Sequence, residues 1–107
     1  MAVEEIPPQE LKRRRDADPA LRLIDVREPW EVAIASLPGA THIPLGELPQ
    51  RLHELDPAVQ TVVMCKAGTR SRRAAAFMLS HGFNRVANLT GGIDAWTCDI
   101  DPTLPTY

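Results

Sequence analysis

The chain has 107 residues and a formal net charge of −2 from twelve basic and fourteen acidic side chains; 44% of it is hydrophobic and 24% charged. That is the length of one domain with one core, and the charge balance excludes a general nucleic-acid binder. No apolar run approaches the roughly 20 residues of a membrane span, and Cys65 and Cys98 are too few for a disulfide framework.

The opening stretch MAVEEIPPQELKRRR has its charges on the wrong side of any apolar run for a secretory signal. A reducing cytosol with both thiols free is therefore the expected setting. Residues 4–6 read as a short strand, and PPQELKRRRDADP as a helix with proline in its first turn and Lys12–Arg15 turned to solvent. Leu21–Val26 is a strand, followed by a helix over Glu28–Ala35 that starts at Pro29. Pro38-Gly39 makes a turn into a brief strand, Thr41–Ile43. Leu48, Leu52 and Leu55 fall at i, i+4 and i+7, the spacing of an amphipathic helix over GELPQRLHELD. QTVVMC is almost wholly apolar, as in a parallel strand buried on both faces. SRRAAAFMLSHGF is a helix closed by Gly82, RVANL a last strand, and GGIDAW the start of a last helix. Trp30 and Trp96 are expected to pack. The whole is predicted as one domain, with a core over about 4–97 and a polar tail over 98–107.

Strands alternating with helices predict an α/β fold: an open, mainly parallel five-stranded sheet with helices on both faces. Sites in such sheets lie outside the carboxyl ends of the strands. DVRE, CKAGTRS and TGG all fall at that edge.

Cys65 ends the apolar strand, and the chain turns within a few residues into a helix. Gly68 permits the turn, and Thr69 or Ser71 can cap the helix. Such a loop points backbone amides inward and adds the partial positive charge of the helix start. No acidic residue lies between Asp56 and Asp94, while Lys66, Arg70, Arg72, Arg73 and Arg85 do. Amides and cations together favour thiolate over thiol, so Cys65 is expected to titrate below about 8.5 and to act as a nucleophile. Cys98, beside Asp99 and Asp101, lacks such surroundings.

Spacing separates the cysteine chemistries. Cys65 to Arg70 is Cys-x4-Arg, one residue short of the Cys-x5-Arg loop of tyrosine-type phosphatases, so the cradle suits a smaller target than a phosphoryl group. No Cys-x-x-Cys is present, which excludes a thioredoxin-type dithiol. No local signature assigns His42, His53 or His81 to a protease dyad, and no metal site is expected.

LIDVREPWE at 23–31, LPGATHIP at 37–44, CKAGTRS at 65–71 and LTGGIDAW at 89–96, in that order, resemble the rhodanese-like sulfurtransferases. The chain departs from that pattern at Ala35-Ser36, at His42 and at Ile93. The resemblance implies a thiosulfate sulfurtransferase with no cofactor other than a covalent persulfide on Cys65. It implies that Lys66, Ala67, Gly68, Thr69, Arg70 and Ser71 form the persulfide-binding loop. Arg70 would orient the sulfonate end of a small anionic donor such as thiosulfate. Asp25 and Arg27 would brace the loop, Asp25 binding loop amides or Arg27, while Gly91 and Gly92 would let neighbouring backbone approach. The acceptor would be a thiol or a protein sulfur acceptor, or cyanide in an assay, with no nucleic acid or membrane partner. The alternatives are a protein-to-protein persulfide carrier with little small-donor activity and, further off, a phosphatase or arsenate reductase.

Overall fold

The computed structural model describes residues 3–107. Five strands form one sheet: β1 (Glu4–Ile6), β2 (Arg22–Asp25), β3 (Thr41–His42), β4 (Thr61–Met64) and β5 (Val86–Leu89). They lie in the order β1-β5-β4-β2-β3, and every pairing is parallel. The helices are α1 (Pro8–Ala17), α2 (Pro29–Ile34), α3 (Leu48–Arg51), α4 (Thr69–Ser80) and α5 (Gly92–Asp99).

Helices cover both faces, as the alternation predicts, and two apolar clusters fill the gaps. Ile24, Val63, Ala74, Ala75, Met78 and Val86 belong to the cluster under α4. Leu11, Leu23, Val62, Met64, Leu89 and Trp96 belong to the one under α1 and α5. Alternate residues of β4 thus enter opposite clusters, which is why the strand carries no polar face. In α4 the inward residues Ser71, Ala74, Ala75 and Met78 follow helical spacing. The two alanines there are fully buried and let the helix lie close to β4 and β5.

The chain leaves β2 toward β3 but leaves β4 toward β5. The connections diverge between these neighbours, and the crevice outside their carboxyl ends is where an α/β sheet binds ligands. The segment after β2 and the loop after β4 meet there.

Three expectations need correction. The helix over GELPQRLHELD is broken: 3-10 turns at Leu45–Glu47 and Leu52–Glu54 flank the single α-turn of α3. Pro49 cannot donate within that first turn, and Leu55 N closes on Leu52 O at 3.0 Å in the tighter 3-10 pattern. Leu48 and Leu55 still reach the core, so the apolar spacing is satisfied without a continuous helix. Trp30 is 61% exposed, and its ring meets that of Tyr107 edge-on with centroids 5.7 Å apart; only Trp96 packs in the core. The tail is not polar throughout, because Ile100, Leu104 and Tyr107 pack on the cluster under α5. No helix among the described residues is long and apolar enough to cross a membrane.

Candidate active site

Cys65 follows β4 directly and is 1% exposed. Gly68 carries the turn with φ +103, the left-handed region that a side chain resists. A Cβ there would also crowd Gly91 N at 3.3 Å and Leu89 O at 3.4 Å. Gly68 itself caps α4, so neither Thr69 nor Ser71 does. Ser71, freed from capping, faces the sulfur.

Cys65 Sγ accepts hydrogen bonds from Gly68 N at 3.1 Å, Ser71 N at 3.4 Å and Ser71 Oγ at 3.3 Å. Burial pushes the thiol's pKa up, but the Ser71 hydroxyl and the amides of Ser71, Gly68 and Ala67 more than offset it, and the net direction is down. The direction is the expected one; the cause is largely different. Lys66 Nζ is paired with Asp94 Oδ2 at 2.8 Å, and Arg72 Nε with Glu5 Oε2 at 2.7 Å. Arg70 is held bidentately by Glu31, at 2.6 Å to Oε1 and 2.9 Å to Oε2. The cations of the loop are paired nearby, so aligned dipoles lead in stabilising a sulfur anion, and the charges of Arg70 and Arg72 add to them. Thr69 is exposed at the start of α4, and Ala67 contributes its amide alone.

The supporting residues divide into two groups. Gly91 and Gly92 start α5 and bring it against the backbone of Cys65: Ile93 N donates to Cys65 O at 2.9 Å and Asp94 N to Lys66 O at 3.1 Å. Asp25 and Arg27 do not touch the loop amides. Asp25 Oδ2 accepts from Arg27 Nη2 at 2.7 Å, and Oδ1 from Arg27 N at 3.1 Å, with both side chains buried. Arg27 also donates to Ala35 O at 2.7 Å and to Tyr107 Oη at 2.9 Å. The pair thereby fixes both ends of α2, the helix that presents Glu31 to Arg70. Among the described residues no three His, Cys, Asp or Glu side chains converge as a metal-ligand set. A cavity of about 640 Å³ opens at the amino ends of β4 and β5, far from Cys65, lined by Arg14, Gln60 and Arg85 among others; it holds no nucleophile.

The family model described as the rhodanese-like domain matches residues 7–99. The chain belongs to that family. A rhodanese-like domain protein of Staphylococcus aureus superposes with a TM-score of 0.84 at 26% identity, covering 98% of this chain and 99% of that one. A protein of Allochromatium vinosum named sulfurtransferase is 36% identical over 94 residues, covering 88% of each chain. The rhodanese-like/PpiC domain-containing protein 12 of Arabidopsis thaliana is 47% identical over 90 residues, 80% of this chain but 30% of that protein. The adenylyltransferase and sulfurtransferase MOCS3 of the same plant is 33% identical over 101 residues, and the match spans 22% of it. The chain thus corresponds to the whole of some relatives and to under a third of others.

Glu31, Tyr107, Asn88 and Glu5 are not singled out by the sequence, yet they hold the side chains around Cys65. Glu31 accepts from Arg70, from Tyr107 Oη at 2.7 Å and from Glu28 N at 3.0 Å. The Arg70 guanidinium, above all, holds its carboxyl down at about 2, against 4.5 for a free glutamate. A depressed carboxyl lends stability that is complete above the unfolded value and lost as pH falls through the folded one. Glu31→Gln should therefore flatten the loss of stability between about pH 4.5 and about pH 2, as read from urea midpoints across that interval. The other carboxylates remain in both proteins, so the difference between the two curves reports Glu31; coincident slopes would refute the assignment.

Proposed function

We propose that the chain is a sulfurtransferase that carries sulfane sulfur on Cys65. The Sγ thiolate attacks the outer sulfur of a small anionic donor such as thiosulfate. The new S–S bond forms as the old one breaks, and sulfite leaves with the electron pair. The amides of Ala67, Gly68 and Ser71 then stand where the added sulfur carries its charge, as an oxyanion hole does for oxygen. An acceptor thiolate, or cyanide in an assay, takes the outer sulfur, and Cys65 leaves as the thiolate. The observation that carries this reading is the ring of donors from one loop on one cysteine sulfur, in a chain of the rhodanese-like family. The cycle needs a reduced thiol and no cofactor, which fits a reducing compartment such as the cytosol.

One observation favours the persulfide-carrier reading in second place. Arg70, which would orient a donor's sulfonate, is already occupied by Glu31, and Cys65 is almost fully covered. A small donor must displace a carboxylate and move the surrounding loop, whereas a protein donor could open both as it docks. Intact mass after incubation with thiosulfate separates the two. Gain of one sulfur atom, removed by cyanide and absent in Cys65→Ala, is the expected result. No gain, with loading by a persulfide-bearing desulfurase instead, would replace the small-donor reading by the carrier.

A further inference from the structure

Asn88 is a polar residue in the otherwise apolar strand β5, and it is fully buried. Its side chain lies on the face of the sheet that α4 covers, two residues on from Val86 of that cluster. Its Nδ2 donates to Glu5 Oε1 at 2.9 Å and to Gly68 O at 3.1 Å. Both partners can only accept, Glu5 being held ionised: burial pushes its carboxyl up, but bonds from Arg72, Asn88 and Thr90 more than offset that. The amino end of the amide must therefore face them, and Oδ1 must face Ser71. Ser71 Oγ lies 2.5 Å from Asn88 Oδ1 and 3.3 Å from Cys65 Sγ.

A serine hydroxyl has one proton. It cannot satisfy Oδ1 and Sγ together, and neither acceptor is open to water. We propose that Asn88 is a positioning residue that competes with Cys65 Sγ for the single hydroxyl proton of Ser71, making that hydroxyl a two-position switch. When Sγ is an anion it draws the O–H, and Oδ1 is left without a donor. When Sγ is capped, by a proton or by a second sulfur, the O–H returns to Oδ1. Asn88 thus favours the capped forms: the thiolate keeps the Ser71 hydroxyl only by stranding Oδ1, so it is held less tightly and stays the stronger nucleophile. A chain of contacts from Glu5 at the surface to the sulfur holds the switch in register.

The charged groups around it are paired with one another: Arg70 with Glu31, Arg72 with Glu5, Lys66 with Asp94 and Arg27 with Asp25. Arg70 and Arg72, although paired, still favour the anion at Sγ, and they are unchanged in every variant compared below. The inference rests on Cys65 being the nucleophile of the proposed reaction, but its test does not require sulfur transfer.

The test is the pH dependence of iodoacetamide alkylation of Cys65 in wild type, Asn88→Val, Ser71→Ala and the double variant, with Cys98 replaced by serine in all four. Asn88→Val should lower the alkylation midpoint by about one pH unit, the tenfold change in thiolate that one hydrogen bond represents. In the Ser71→Ala background the same substitution should shift nothing, since no proton is left to share. A shift of equal size in both backgrounds, no shift, or an upward shift with Ser71 present would each overturn the proposal. Should Asn88→Val fail to fold, the Asn88 side-chain amide resonances of the wild type supply the readout. They should titrate at the midpoint of Cys65 Cβ, and resonances that stay flat through it would overturn the switch. Failure of the sulfurtransferase reading would show separately, as no mass gain from thiosulfate in a protein whose alkylation still behaves as described.

Discussion

Asp25→Ala should destabilise the protein by about 3–5 kcal/mol, the cost of leaving a buried charge without its partner. Arg27 is 0% exposed and Asp25 1%. Asp25 is the carboxylate that neutralises the Arg27 guanidinium, whose other partners are the carbonyls of Ala35 and Glu31 and the Tyr107 hydroxyl. Burial pushes the guanidinium's pKa down, and the bond from Asp25 leads the contacts that more than restore it. Without Asp25 a cation remains in the core with dipoles alone. Replacing both residues by apolar ones of similar size removes the charge and the need for it together, so Asp25→Leu/Arg27→Met should be less damaging than Asp25→Ala. Urea unfolding of the three proteins orders them; a double variant weaker than the single one would show that the pair itself, rather than its imbalance, matters. The consequence reaches the sulfur indirectly. Arg27 ties the segment after β2 to the end of α2, α2 carries Glu31, and Glu31 holds Arg70. A loosened Arg27 frees Arg70, so Asp25→Ala should also change the rate at which a small anionic donor loads Cys65.

The parts of this site legible in sequence are those that local rules govern. An apolar run marks β4 because both of its faces are covered, and Gly68 marks the turn because only glycine takes φ +103 without strain. Cys65 and Gly68 sit within one loop, so their closeness follows from spacing, whereas Ser71 reads from spacing as a helix cap and only the structure turns it to the sulfur. The Arg70–Glu31 pair spans 39 positions and Tyr107–Glu31 spans 76. Nothing in either segment names the other, and only the strand order brings α2 and α4 to one crevice. The electrostatic effect has the expected direction, but its source was only partly legible, for the same reason. A gap in acidic residues from 57 to 93 looks like a positive surface in one dimension, but Asp94, Glu31 and Glu5 enter from outside the gap and pair with Lys66, Arg70 and Arg72. Asn88 did carry a signal. A lone asparagine in an apolar, doubly covered strand must find partners for its amide, and its two-residue spacing from Val86 put it beneath α4.

Gly92→Ala is expected to be the most damaging single methyl group the chain could acquire at this site. Gly92 has φ +59, so alanine there pays the left-handed penalty of about 1–2 kcal/mol. Its Cβ would also collide with the carbonyl oxygens of Cys65 and Lys66, and overpacking of that kind adds about 1–3 kcal/mol. Those carbonyls cannot yield freely, because Ile93 N and Asp94 N donate to them. The first turn of α5 must therefore back away, or the backbone of Cys65 must shift. Gly82→Ala isolates the first contribution: Gly82 has φ +90, but a Cβ there meets nothing within 4 Å. The excess of Gly92→Ala over Gly82→Ala in unfolding free energy measures the contact between α5 and the peptide of Cys65. If that contact sets the direction of Sγ, the Gly92 variant should also alkylate at an altered midpoint while the Gly82 variant keeps that of wild type. Equal losses in the two variants, with unchanged alkylation, would mean that α5 leans on the loop without aiming it.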